Sequence, residues 1–110
     1  MAAVNNFRTL TQTVGLSTSI LYTAPAGYTG VVLLSQVTNK GSSTHNMSYF
    51  YRRSSGADID IVRNLSIPAG DTANLLNGKL VIESGDKLGI IGNNASDMDF
   101  IASVMETSNL

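Results

Sequence analysis

Both prolines of this 110-residue chain stand in the same setting, Ala24-Pro25-Ala26-Gly27 and Ile67-Pro68-Ala69-Gly70, each between short apolar runs. A proline fixes φ and donates no backbone hydrogen bond, so it does not sit inside a helix or a central strand. With proline at the second position and glycine at the fourth, each tetrad predicts a type I reversal between extended segments. The rest of the chain agrees, because Ser, Thr, Asn and Gly are plentiful and strong helix formers nowhere run together. The chain reads as all-β.

Period-two alternation and turn residues divide it into short strands. They are expected at Val4 to Val14, Ser19 to Thr23, Thr29 to Asn39, His45 to Arg53, Asp58 to Ile67, Thr72 to Leu76, Lys79 to Glu83, Lys87 to Gly92 and Met98 to Glu106. In the third, Val31, Leu33, Ser35 and Val37 share one face and Val32, Leu34, Gln36 and Thr38 the other. In the fourth, Met47, Tyr49 and Tyr51 oppose Asn46, Ser48, Phe50 and Arg52. In the fifth, Ile59 and Ile61 face in while Asp58 and Asp60 face out. Met98, Phe100, Ala102 and Val104 form the inward face of the last, and Asn77-Gly78 predicts a two-residue hairpin between the sixth and seventh. Eight or nine short strands spaced about ten residues apart predict a jelly-roll-like two-sheet sandwich. Residues 1–14, whose alternation is weak, are expected to be an N-terminal arm or edge strand, and residues 15–110 one domain.

Seven basic and eight acidic residues, scattered singly apart from Arg52-Arg53, provide no basic stripe for a phosphate backbone, so nucleic acid is not an expected partner. No run approaches a membrane span, the N-terminal residues do not resemble a signal peptide, and cysteine is absent. These features predict a product made in the cytoplasm without disulfides or membrane contact. The triplets at Asn46, Asn64 and Asn94 match the glycosylation pattern and are expected by chance in so Asn- and Ser-rich a chain.

Little chemistry is on offer. His45 is the single histidine, which excludes a multi-histidine metal site and leaves a Ser-His-Asp arrangement as the one nucleophilic option. The nearby Ser42, Ser43 and Ser48 lie in or beside a polar hairpin with no elbow to present a nucleophile. Asp58 with Asp60, and Asp97 with Asp99, each share a strand face, yet neither pair belongs to a glycine-punctuated calcium loop. Gly85-Asp86-Lys87 and Gly89-Ile90-Ile91-Gly92 precede no helix that could hold phosphate. The expectation is a protein that is no enzyme, with no catalytic residue, metal or cofactor.

What remains is apolar surface in excess of one sandwich core. Val32, Leu34, Tyr49, Phe50, Tyr51, Ile101 and Met105 are the candidate contacts with another copy or a partner, since a monomer seldom leaves such a patch uncovered. The rings of Tyr49, Phe50 and Tyr51 beside His45 are alternatively stacking faces for a host glycan.

Between residues 22 and 106 the chain carries Tyr22-Thr23-Ala24-Pro25, a strand closed by Asn39 and Gly41-Ser42-Ser43, then Ile67-Pro68-Ala69-Gly70, Gly78-Lys79, Glu83 and Gly85-Asp86-Lys87. In this order they resemble small virion structural proteins of tailed bacteriophages. The resemblance implies a non-enzymatic virion component, foremost a capsid decoration or cement protein that self-associates, as a trimer, and clamps major capsid subunits. A neck or tail accessory protein that docks on neck or tail proteins is the alternative within the same class.

Overall fold

The computed structural model describes residues 5–109, which form nine strands and no helix. Residues 1–4, at the start of the expected N-terminal segment, and residue 110, at the end of the expected domain, lie outside the described residues. The strands are β1 (Asn5–Thr13), β2 (Ser19–Thr23), β3 (Tyr28–Asn39), β4 (His45–Arg52), β5 (Asp58–Ile67), β6 (Thr72–Asn74), β7 (Leu80–Ile82), β8 (Lys87–Gly92) and β9 (Met98–Ser108). All pairings are antiparallel. The first sheet runs β1-β9-β3-β6, with β7 also on β3, and the second runs β2-β8-β4-β5. Counting β6 and β7 as one interrupted edge strand, the chain alternates between sheets at every connection but β4 to β5, giving the strand order of a jelly roll.

Both Pro-Ala-Gly reversals occur, but each starts one residue later than expected. Tyr28 N donates to Pro25 O at 3.0 Å and Asp71 N to Pro68 O at 3.1 Å, so proline opens the turn and glycine is its third residue. Gly27 and Gly70 have φ of 81° and 80°, which is the type II geometry and excludes an L side chain at little strain. The same turn recurs without proline at Glu83-Ser84-Gly85-Asp86, closed by Asp86 N on Glu83 O at 3.0 Å.

The interior is filled by one face of each sheet. Met98, Phe100, Ala102 and Val104 of β9 face in as the alternation predicts, against Met47, Tyr49, Leu88 and Ile90 of the second sheet. The Tyr49 and Phe100 rings pack tilted with centroids 5.5 Å apart. Desolvating such aliphatic and aromatic groups contributes roughly 25 cal/mol per Å² of apolar area, and this is the main force holding the layers together.

Three face or turn assignments change in the structure. In β3, a bulge between Val32 and Leu34 places two residues against one of β9, so the inward series runs Val32, Ser35, Val37, Asn39 and leaves Leu33 and Leu34 both outside. Asn77-Gly78 does not form a hairpin, because its flanks prefer a common partner: β6 pairs with residues 36–38 of β3 and β7 with residues 30–32. The chain steps outward between them, opposite the bulge, while Leu75 drops into the core and its N–H reaches Ser35 O at 3.0 Å. In β5, Ile59 lies at the exposed end of an edge strand, and Ile61 and Val62 pack together against the core where the pairing with β4 is irregular.

Candidate functional site

On the outer face of the second sheet the largest ring is enclosed by neighbouring side chains, although Ile20 of β2 remains exposed beside it. Phe50 points outward from β4 onto Gly89 of β8, where a Cβ would overlap the ring, and it is 6% exposed. The Arg52 guanidinium covers it at 5.2 Å from the ring centroid and is itself fixed by Asp58, with Nε and Nη2 donating at 2.6 and 3.1 Å. Asp58 is thereby held below the usual carboxylate range and Arg52 raised, each through that hydrogen bond.

The first sheet leaves its outer face open. Phe7 of β1 lies opposite Met105 of β9, which lies opposite Val31 of β3, which lies opposite Val81 of β7. Cross-strand partners share a face, so these four side chains form one apolar row straight across the sheet. Phe7 is 74% and Val81 54% exposed, with Met105 and Val31 half-buried between them. The next row holds Thr9, Ser103 and Leu34, with Leu33 set beside it by the bulge, and the one after holds Thr11, Ile101, Gln36 and Asn74. No charged side chain interrupts these three rows. Charge returns only in the row of Thr13, Asp99, Thr38 and Thr72, where Lys40 meets Asp99 at 3.1 Å. Thr11, Thr13, Thr38, Asp99 and Ile101 line a shallow open concavity of about 750 Å³ on this face.

Of the seven residues expected to meet partners, Leu34 and Ile101 are exposed on the open face and Met105 is half-exposed in the apolar row. Val32, Tyr49, Phe50 and Tyr51 are instead enclosed by the chain itself. Val32 is inward because of the β3 bulge, Tyr49 and Tyr51 follow the inward alternation of β4, and Phe50 is taken up by Gly89 and Arg52. The same burial removes these rings as stacking faces for a sugar. Phe7 and Val81, the most exposed members of the apolar row, were not among the expected contacts. Their alternation with polar neighbours is visible in sequence, but their alignment requires the strand register.

Interior polar groups tie the layers together. Tyr22 OH donates to Glu106 at 2.6 Å from sheet to sheet, its ring lying against Gly30, where a Cβ would come within 2.9 Å. Tyr49 OH and Ser35 Oγ share a buried hydrogen bond of 2.9 Å, also from sheet to sheet. Tyr51 OH donates to Asp86 Oδ2 at 2.6 Å, and the other oxygen of that carboxylate accepts from Ser54 N at 2.8 Å. Burial raises all three phenols, Tyr49 to about 12. The Tyr51 hydrogen bond holds Asp86 below the carboxylate range, with the Ser54 amide and Arg53 acting in the same direction.

His45 Nε2 and Asp97 Oδ2 are 3.0 Å apart, and Ser96 Oγ donates to the other Asp97 oxygen at 3.3 Å. The serine is thus bonded to the acid and not to the imidazole, the wrong order for a base-activated nucleophile. Neither the concavity on the first sheet nor a smaller one beside Asn46 and Asn93 is lined by His45. The acidic pairs diverge: Asp58 meets Arg52, Asp97 meets His45 and Asp99 meets Lys40. Among the described residues no three His, Cys, Asp or Glu side chains gather as metal ligands.

No family model and no curated protein matches the chain. Its fold is found in solved structures of low sequence identity. A chain of the acid-stable capsid of Helicobacter pylori bacteriophage KHP30 is similar at TM-score 0.59 and 12% identity, over 99% of this chain and 94% of that one. A chain of the disulfide-linked pili of Bacillus endospore appendages is similar at 0.57 and 11%, over 96% and 88%. A chain of the T13 viral particle of IBDV is similar at 0.53 and 12%, over 94% of this chain but 31% of that one. The shared element is the jelly roll, which accounts for nearly all of the bacteriophage chain and under a third of the IBDV chain.

Proposed function

We propose that this chain is a non-enzymatic structural subunit of a virus particle, a decoration or cement protein that binds neighbouring shell subunits and further copies of itself through the outer face of the first sheet. The observation that carries the reading is the apolar row Phe7, Met105, Val31 and Val81 with two uncharged rows beside it, on a fold common to capsid proteins. A face of this kind leaves apolar area in water unless something covers it, and Leu34 and Ile101 extend it into a contiguous patch. A disulfide-linked fibre like the pilus is disfavoured, because the sequence has no cysteine.

The test is re-addition of purified protein to particles that lack it, followed by co-sedimentation. Wild-type protein should bind to saturation at a fixed copy number per particle. The double substitution Val81→Lys with Ile101→Lys should reduce binding at least tenfold while leaving the unfolding free energy within about 0.5 kcal/mol, since both positions are exposed. Undiminished binding of that variant would remove this face from the interaction.

A further inference from the structure

A two-sheet sandwich has four edges, and three of these are guarded against strand addition. The β6/β7 edge is two pieces of three residues each, with exposed Asn77 to Lys79 interrupting the pairing between them. The β2 edge is five residues long with a bulge between Ile20 and Tyr22. The β5 edge carries two bulges, Asn64 at a φ of 49°, and the charges of Asp58, Asp60 and Arg63. Short strands, bulges and charge are the ordinary means of keeping an edge from recruiting another strand.

The β1 edge is long, has no bulge and carries a single charge. Its nine residues pair one to one with β9, from Asn5 opposite Thr107 to Thr13 opposite Asp99, without a shift. It contains no proline or glycine, and its single charge, Arg8, is drawn to Glu106 at 3.2 Å, with the guanidinium 5.7 Å from the Tyr22 ring centroid. Eight of the nine side chains are exposed.

We propose that β1 pairs with β1 of a second copy, antiparallel about a twofold axis through Thr9, to make one sheet continuous across two chains. Thr9 is the midpoint of the strand, so this register engages all nine residues and forms about eight to ten inter-chain backbone hydrogen bonds. It sets Thr9 against Thr9, Phe7 against Thr11, Asn5 against Thr13 and Arg8 against Leu10. Centring the axis one residue earlier would set Arg8 against Arg8, a like-charge pair that opposes assembly. In the Thr9-centred register each Phe7 lies beside the partner's Thr11 and Ile101, at the concavity that these two line. The apolar row of one chain then continues into the Ile101 row of the other. The occupant is a second copy because the strand is uncharged outside Arg8 and complementary to itself in this register. The pairing rests on edge geometry alone and is independent of the virion role.

The chain lacks cysteine, which makes the register directly readable by cross-linking of the isolated protein. Under mild oxidation Thr9→Cys should convert most of the protein to a disulfide dimer, because opposed Cβ atoms lie within reach of each other. Asn5→Cys should not, since the two copies of that residue lie at opposite ends of the ladder, but Asn5→Cys combined with Thr13→Cys should. Sedimentation equilibrium should give twice the chain mass, and Thr9→Lys should return it to one, with a melting temperature that no longer depends on protein concentration. A monomer with no Thr9→Cys cross-link would overturn the proposal and leave the edge to a different partner. A mass of three chains, or equal cross-linking at Asn5 and Thr9, would overturn it as well. Val81 lies on β7 at the opposite margin of the sheet and takes no part in this pairing, so particle binding by Val81→Lys alone separates failure there from failure here.

Discussion

The outer faces of the two sheets are made from the same kinds of strand and end in opposite conditions. On the second sheet a glycine makes room for a phenylalanine, an arginine covers the ring, and an aspartate fixes the arginine, so the apolar group is hidden by the strands that carry it. On the first sheet Phe7, Met105, Val31 and Val81 stand side by side with no glycine to lie against and no long cation to cover them. An outward-pointing phenylalanine is therefore uninformative by itself. The presence or absence of a covering layer distinguishes a finished surface from one awaiting a neighbour.

Ways to break this contrast can be ranked by expected cost. The interior common to both sheets sets the scale: Phe100→Ala, at a fully buried position against Tyr49, should destabilise by about 3 to 5 kcal/mol in a denaturant titration. A loss under about 1 kcal/mol would mean that the two sheets do not share one core. Next comes the closed face. Gly89→Ala drives a methyl into the Phe50 ring and should cost about 1 to 3 kcal/mol, with the ring displaced toward solvent. If that variant is as stable as the parent, Phe50 is not seated on Gly89 and the two faces are alike.

The acid limb of stability should report on Asp86. Its carboxyl is held below the ordinary range when folded, so it stabilises the native state above about pH 4, where the unfolded carboxyl is ionised, and that contribution fades as pH falls further. Asp86→Asn should therefore be less stable than the parent near neutrality, with the gap closing below about pH 4. A gap independent of pH would assign the loss to packing. The smallest change of all is expected on the open face, where Val81→Lys with Ile101→Lys alters what the molecule binds and hardly at all how it folds.

Much of this architecture was legible beforehand. The inward series Met98, Phe100, Ala102, Val104 and the alternation of β4 follow from side-chain period alone, and both Pro-Ala-Gly segments reverse the chain, although one residue later and in a different turn type than the tetrads predict. What escaped was whatever depends on a second strand. The β3 bulge is a mismatch with β9 and shifts Val32 inside, and Asn77-Gly78 yields no hairpin because β6 and β7 both find β3. Phe50 reads as a free outward ring until Gly89 is seen beneath it. The apolar row was hidden for the same reason, since its four members come from four strands far apart in sequence. Leu34, Ile101 and Met105 were accessible to the alternation argument, but Phe7 and Val81 gain their significance only from register.

The interruption between β6 and β7 limits how large an assembly can become. A sheet receptive along both margins can add subunits without end and grow into a filament. Here the far margin is broken opposite the β3 bulge, so under the proposed pairing strands are added from the β1 side alone, and once two chains have met there neither has a second free edge of this sheet to offer. The backbone irregularity thus acts as a stop, setting a stoichiometry of two for strand-mediated growth and leaving any larger array to be ordered by the surface the pair lands on.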